Sequence, residues 1–300
     1  MRPLLVSLER NNPLTKPIAK CVGAEHALIE VRRFPDGETY LRYDTDVSQR
    51  QVILLSSLDN PDSKFLRLAF AAATARDLGA SSVGLVSPYL PYMRQDSRFQ
   101  AGEAVSSICF AKQLSAQLDW LVTVDPHLHR HASLSDIFDI KAVAAHSAPL
   151  IANWIQQYVE RPLLVGPDEE SRQWVAAVAK DANAPHMVLQ KTRRDDRDVE
   201  VSAPQLSDWS EYTPVLVDDI VSTARTMIVT IENLKRAGLR SPVCVGVHGL
   251  FVDDAYRDLV DAGAGMVVTS NTVPHVTNAI DVSGLLADAV RGIFDKEFPR

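Results

Sequence analysis

Along the chain, short runs of β-branched and other apolar residues alternate with longer segments whose apolar positions recur at helical spacing. That alternation predicts parallel strands covered by helices. The runs PLLVSL, ALIEVRRF, QVILLSS, SVGLVSP and WLVTVD predict strands in the first half, and PLLVGPD, HMVLQK, PVLVDD, PVCVGVHGL and GMVVTS predict strands in the second. The amphipathic segments SKFLRLAFAAATARDLGA and TARTMIVTIENLKRAG predict helices that stop at Gly79 and Gly238, each a good C-terminal cap. The stretch KAVAAHSAPL reads as the separator of two α/β halves. We therefore expect an N-terminal domain over 1–145 and a C-terminal domain over 146–300, with the last helix free to pack back on the first domain. No clear sequence repeat relates the halves.

Composition narrows the picture. A chain of 300 residues with 46% hydrophobic and 23% charged side chains can bury a substantial core. Its net charge of −7 argues against a nucleic-acid or acidic-membrane surface, although a local positive site could still hold a small anion. Cys21, Cys109 and Cys244 are odd in number, widely spaced and outside any C-x-x-C pattern, so neither a disulfide framework nor a zinc site is indicated. With no apolar signal segment at the start and no apolar stretch near the ~20 residues of a membrane span, the reading is cytoplasmic.

The stretch VLVDDIVSTART, from Val215 to Thr226, is the first with chemistry in it. It reads as a strand PVLVDD, a turn IVSTA and a helix. In open α/β sheets ligands sit beyond the carboxyl ends of strands, and a helix N-terminus is a ready anion site. Ser222, Thr223 and Thr226 add hydroxyls there, while the adjacent acids Asp218 and Asp219 can accept hydrogen bonds from a polyol. Together these residues describe a sugar phosphate. The bland alternative, on this motif alone, is that Ser222 or Thr223 caps the helix and the acids are solvated.

Acid-acid followed by a hydroxyl-rich turn after an apolar strand resembles the phosphoribosyl-diphosphate signature of phosphoribosyltransferase-type folds. Further stretches make the whole chain resemble the ribose-phosphate diphosphokinase family: RRFPDGETYLR, SPYLPYMRQDSR, TVDPH, GPD, QKTR and HGLF fall in family order from Phe34 to about Thr272. The resemblance implies two phosphoribosyltransferase-like domains, with ATP, Mg2+ and ribose 5-phosphate held between them. It assigns Arg94, Gln95 and Asp96 to ATP, where an arginine suits phosphate or stacking and a glutamine suits a base edge. Phe34, Asp36 and Glu38 would reach the adenine in a neighbouring subunit's site, which implies a homo-oligomer; by itself FPDGE is a tight hairpin turn. His127 and Asp168 are implied as metal residues, one imidazole and one carboxylate completed by substrate phosphates. The run His127, His129, His131 leaves a zinc alternative open. Lys191 and Arg193 match the family's catalytic K-x-R loop, in a segment that otherwise reads as a solvated loop of alternating charge. The residues Asp218, Asp219, Ser222, Thr223, Ala224, Arg225 and Thr226 are implied to bind ribose 5-phosphate.

Departures from the common pattern fall at Ser222 and Arg225, where many members carry an acid and a glycine, and at DEES after Pro167. They point to a divergent, archaeal-type branch. Two other functions fit parts of the chain: a non-catalytic regulatory paralogue, which would tend to lose the K-x-R loop, and a phosphoribosyltransferase, which would leave RFPDGE and PYMRQD unexplained. The absence of G-x-x-x-x-G-K-[ST] disfavours a P-loop ATPase.

Overall fold

The computed structural model describes residues 2–167, 171–195, 198–202 and 209–297, with side chains throughout these except at 173, 190–202 and 296–297. By internal contacts the chain forms two compact units, Met1–His146 with Ser283–Arg300, and Ser147–Val282.

The first unit is built on a six-stranded sheet in the order β2-β1-β5-β6-β7-β8. Its strands are β1 (Leu4–Ser7), β2 (Glu25–Ala27), β5 (Gln51–Leu55), β6 (Ser82–Ser87), β7 (Trp120–Val124) and β8 (Lys141–Ala145). All five pairings are parallel. Parallel neighbours need crossovers, supplied here mainly by α1 (Thr15–Val22), α2 (Pro61–Asp77) and α3 (Ser106–Ser115). Leu54, Leu68, Ala72, Leu85, Leu114 and Leu121 lie in the core between sheet and helices. An antiparallel hairpin of β3 (Ile29–Arg33) and β4 (Thr39–Tyr43) is inserted between β2 and β5, and Tyr43 ties it to α2 by donating its hydroxyl to the Ala71 carbonyl at 2.8 Å.

The second unit repeats this plan. Its sheet runs β10-β9-β13-β14-β15-β16, again all parallel. The strands are β9 (Pro162–Gly166), β10 (His186–Val188), β13 (Thr213–Val221), β14 (Val243–Gly249), β15 (Met266–Ser270) and β16 (Asn278–Ile280). The helices are α4 (Ala148–Tyr158), α5 (Arg172–Ala182), α6 (Arg225–Arg236) and α7 (Ala255–Ala262). A hairpin of β11 (Gln190–Asp195) and β12 (Asp198–Ser202) is again inserted after the second strand of the sheet. Both sheets therefore share one connectivity, second-first-third-fourth-fifth-sixth, which no sequence repeat discloses.

The structure corrects several expectations. ALIEVRRF is two strands, β2 and β3, that belong to different sheets. KAVAA forms β8, the edge of the first sheet, and the division between the two units falls just after it, between His146 and Ser147, within the stretch KAVAAHSAPL. HMVLQK likewise breaks into β10 and β11, so Lys191 and Arg193 lie on a strand of the hairpin and not in a loop, opposite Val201 and Val199. β13 continues through Ile220 and Val221, so Asp218 and Asp219 lie within the strand and not at its end. The expected helix stops do form: backbone N–H groups of Ala80 and Leu239 reach back to the Ala75 and Leu234 carbonyls at 2.9 and 3.1 Å, across Gly79 and Gly238. The last helix, α8 (Ser283–Glu297), packs on α1, β7 and β8 of the first unit.

One close approach organises that packing. Gly84 on β6 lies in register with Trp120 on β7, and a Cβ at Gly84 would stand 1.9 Å from the indole Cε2. The indole, 1% exposed, meets Phe294 of α8 edge-on with ring centroids 5.8 Å apart. Replacing Gly84 by Ala forces this ring off its seat, and overpacking of this kind costs about 1–3 kcal/mol or more. Gly84→Ala is expected to lower the thermal unfolding midpoint measured by tryptophan fluorescence, whereas a variant that melts with the wild type would show that the indole can move freely.

Candidate active site

In the first unit the candidate residues follow adjacent strands. β6 runs into Pro88 and a turn whose Tyr92 adopts φ 66°, a left-handed conformation unusual for a tyrosine. The turn is fixed from both sides. The Gln95 N–H donates to the Tyr92 carbonyl at 3.0 Å, and the Gln95 carbonyl accepts from the Ser107 N–H and hydroxyl at 3.2 and 3.1 Å. Tyr92 also donates its hydroxyl to Asp62, and burial together with that carboxylate pushes its pKa up to about 12. Arg94 and Gln95 are left exposed on this braced turn. Asp96 differs: its carboxylate, 7% exposed, accepts from Arg130 Nε at 3.1 Å. That bond ties the turn after β6 to the loop after β7, which carries His127.

The loop after β7 begins at Asp125, which is buried and also left-handed at φ 32°. Its N–H donates to the Ala145 carbonyl at 3.0 Å, and its carboxylate lies 3.1 Å from Nδ1 of the exposed His146. His146 gives no signal in the sequence, because a lone histidine forms no pattern. His127 is half-buried, with its ring against that of His129 at 3.9 Å between centroids. His131 is set apart from them by the burial of its Nε2, which has no partner among the described residues.

The FPDGE segment is the tight turn of the β3–β4 hairpin. The Phe34 N–H donates to the Glu38 carbonyl at 2.8 Å, and the Glu38 N–H donates to the Asp36 carboxylate at 3.1 Å. Phe34, Asp36 and Glu38 are all exposed, with the Arg32 guanidinium 4.7 Å from the Phe34 ring centroid.

In the second unit, Asp218 and Asp219 occupy successive positions of β13 and so face opposite sides of the sheet. Each carboxylate accepts the next backbone N–H, from Asp219 at 3.0 Å and from Ile220 at 2.8 Å. Alternation thus separates two charges that sequence adjacency brings together. The following loop is stitched to the segment after β14: Leu250 and Phe251 donate backbone N–H groups to the Val221 carbonyl at 2.9 and 3.1 Å, and Val252 donates to the Ser222 carbonyl at 3.1 Å. HGLF therefore works as a backbone clamp.

α6 starts at Arg225 after Ala224, a left-handed residue with φ 55°. No side chain caps this helix, so the alternative in which Ser222 or Thr223 serves as the cap is not what forms. An uncapped first turn leaves backbone N–H groups for an anion. The strained position is Ala224, whereas Arg225 is an ordinary helical residue. Thr223 and Arg225 are exposed, Ser222 and Thr226 are half-buried, and the Thr226 carbonyl accepts from the Thr230 hydroxyl at 2.8 Å. Asp168 lies outside the described residues, as do the side chains of Lys191 and Arg193.

Two family models cover most of the chain. Residues 4–117 match the N-terminal domain of ribose phosphate pyrophosphokinase, and residues 133–284 match the phosphoribosyl transferase domain. The ribose-phosphate pyrophosphokinase of Sulfurisphaera tokodaii is 30% identical over 95% of this chain and 99% of its own. That of Methanosarcina mazei is 32% identical over 93% of this chain and 92% of its own. The chain belongs to the ribose-phosphate pyrophosphokinase family. Both relatives are archaeal, in line with the archaeal-type departures at Ser222 and Arg225. The solved structure of phosphoribosylpyrophosphate synthetase from Mycobacterium smegmatis shares the fold, with a TM-score of 0.86 over 99% of this chain and 100% of that one at 22% identity. Among the described residues no helix is long and apolar enough to cross a membrane.

The Asp125 carboxylate raises the pKa of His146 above its ordinary value, with the hydrogen bond as the main cause. A raised folded pKa means that the folded chain holds the proton more tightly than the unfolded one. The resulting stability is fully present below the unfolded value of about 6.5 and is lost as pH rises through the folded value. The difference in unfolding midpoint between wild type and His146→Gln is therefore expected to be largest in mild acid and to shrink above neutrality. A difference that does not vary with pH would mean that the ring bonds Asp125 while uncharged.

Proposed function

We propose that this chain transfers the diphosphoryl group of ATP to the 1-hydroxyl of ribose 5-phosphate, giving 5-phosphoribosyl 1-diphosphate and AMP. The observation that carries the reading is the uncapped, backbone-clamped loop from Ser222 to Thr226 at the start of α6, in a chain matched nearly end to end by ribose-phosphate pyrophosphokinases. A phosphoribosyltransferase is disfavoured, since it leaves the first unit without a task. A non-catalytic paralogue is disfavoured by Lys191 and Arg193, which such proteins tend to lose.

In this reading the α6 N-terminus and the hydroxyls of Ser222, Thr223 and Thr226 take the 5-phosphate, with Ala224 and Arg225 shaping the turn, while Asp218 and Asp219 accept from ribose hydroxyls. Arg94 and Gln95 hold the nucleotide on the turn that Tyr92 and Ser107 brace, and Asp96 supports that turn through Arg130. Phe34, Asp36 and Glu38 close the adenine pocket of a second copy, which makes the working form a homo-oligomer. His127 and Asp168 would hold Mg2+; His127 is half-buried, and a hard cation there would draw its remaining oxygen ligands from substrate phosphates and water. When bound, that cation offsets charge on the polyphosphate. The sugar 1-hydroxyl gives up its proton to solvent and its oxygen bonds to the β-phosphorus as the bond from that phosphorus to the α–β bridging oxygen breaks, the electron pair leaving on the AMP phosphate. Lys191 and Arg193 meet the charge that develops on the transferred group and on the departing AMP oxygen.

Incubation with ATP, Mg2+ and ribose 5-phosphate should yield AMP and phosphoribosyl diphosphate in equal amounts. ADP and inorganic phosphate in their place would sink the reading. Lys191→Ala is expected to lower kcat by about 10² to 10³-fold with little change in either KM, because a cation engaged mainly in the transition state contributes little to ground-state binding. Near-normal turnover at saturating substrates would remove Lys191 from the mechanism. By calorimetry, Asp219→Asn should weaken ribose 5-phosphate far more than a non-hydrolysable ATP analogue, and equal losses would make the aspartate structural.

A further inference from the structure

We propose that the cavity beside the carboxyl end of β1, on the first unit, is a binding site for a small phosphate-bearing anion. It encloses about 330 Å³, and its walls include Arg10, Arg32, Arg33 and Arg67. The four guanidinium groups come from three separate elements: the segment after β1, the end of β3, and the second turn of α2. Arg32 lies against Phe34 of the active site proposed above, whereas Arg10, Arg33 and Arg67 have no role in it, so a test on those three is independent of that function.

The charge arrangement is what calls for a ligand. Glu9 is the one acid in the cavity wall, and it is already engaged, accepting from the Ser56 hydroxyl at 2.6 Å with Lys64 3.8 Å away. Burial also pushes the Glu9 carboxyl above the usual range, which weakens it further as a counter-charge. Arg32 is partly compensated, by Glu30 at 3.7 Å and by the Tyr40 ring at 4.0 Å. Arg10, Arg33 and Arg67 have no ion pair among the described residues. Arg67 Nε is fully buried and has no hydrogen-bond partner among the described residues, so a desolvated donor is left unmatched. A chain of net charge −7 thus concentrates uncompensated cations around one hollow.

Four guanidinium groups drawn from three elements suit phosphate better than carboxylate. A carboxylate offers two oxygens in one plane, whereas a phosphate offers three or more in a tetrahedral array that forks from different directions can share. Leu8, Leu28, Ile29 and Val31 add apolar wall beside Ser7 and His26, with Leu28 63% exposed, so a nucleoside attached to the phosphate would also find apolar contact. An anion seated here links the root of the β3–β4 hairpin to β1 and α2.

Calorimetric titration of the full chain at low ionic strength, with inorganic pyrophosphate as probe, tests the site. Wild type and Thr226→Val, which marks the sugar-phosphate loop, should share a binding component that Arg10→Gln/Arg33→Gln weakens by about tenfold or more. Arg67→Lys keeps the charge but removes the Nε donor; it should weaken the same component while leaving the melting temperature near that of wild type, and it carries the test if the double variant fails to fold. Parallel titrations with inorganic phosphate and with ADP separate the sources: tighter ADP assigns the apolar wall to a nucleoside, and no gain from the nucleoside assigns the site to the bare phosphate group. Superimposable titrations for wild type and the arginine variants, or loss of the component in Thr226→Val alone, would overturn the proposal.

Discussion

Parallel pairing of β13 with β14 is the constraint from which the loop from Ser222 to Thr226 follows. Strands that run side by side in one direction end on the same edge of the sheet, and their exit loops must then satisfy each other's backbone groups. The carbonyls of Val221 and Ser222 are met by N–H groups of Leu250, Phe251 and Val252, so among the described residues the loop is held by its backbone and not by its own hydroxyls. Ser222, Thr223 and Thr226 stay available for a ligand. The same logic applies in the first unit, where β6 and β7 end together and the Asp96 to Arg130 bond joins their exit loops.

Some of the chain's backbone strain lies in these loops. Tyr92, Asp125 and Ala224 all take left-handed conformations without being glycine, and each sits beside a candidate site residue. Conformations of this kind cost about 1–3 kcal/mol and persist only where the surroundings enforce them. Here the enforcing contacts are visible: Asp62, Gln95 and Ser107 around the first turn, Ala145 and His146 around the second, and the clamp from β14 beside the third.

Much of this was legible in the sequence because it rests on periodicity. The strands PLLVSL, QVILLSS, SVGLVSP and WLVTVD appear where apolar runs place them, and Gly79 and Gly238 end their helices. What could not be read was pairing partner and strand end. ALIEVRRF is one apolar run but serves two sheets, KAVAA is too short and too alanine-rich to announce an edge strand, and the charges of QKTRRDDRDVEV hide a hairpin whose partners are local. The two aspartates looked like a repelling pair at a strand end because sequence adjacency is not spatial adjacency. Two residues further of β13 place them on opposite faces. The Asp125 to His146 contact joins residues just past the ends of the neighbouring strands β7 and β8 and leaves no local trace.

The repeated connectivity has a consequence for ancestry. Both units insert an antiparallel hairpin at the same point, between the second strand of the sheet and the third, and both enter the next helix through a left-handed residue, Asn60 in one and Ala224 in the other. Independent invention of the same insertion at the same place is harder to explain than duplication of one module that already possessed it. On that view the turn bearing Phe34 and the strand bearing Lys191 are divergent copies of one ancestral appendage. One copy came to hold an aromatic ring and two acids, and the other a pair of cations, after sequence identity between the halves had eroded below detection.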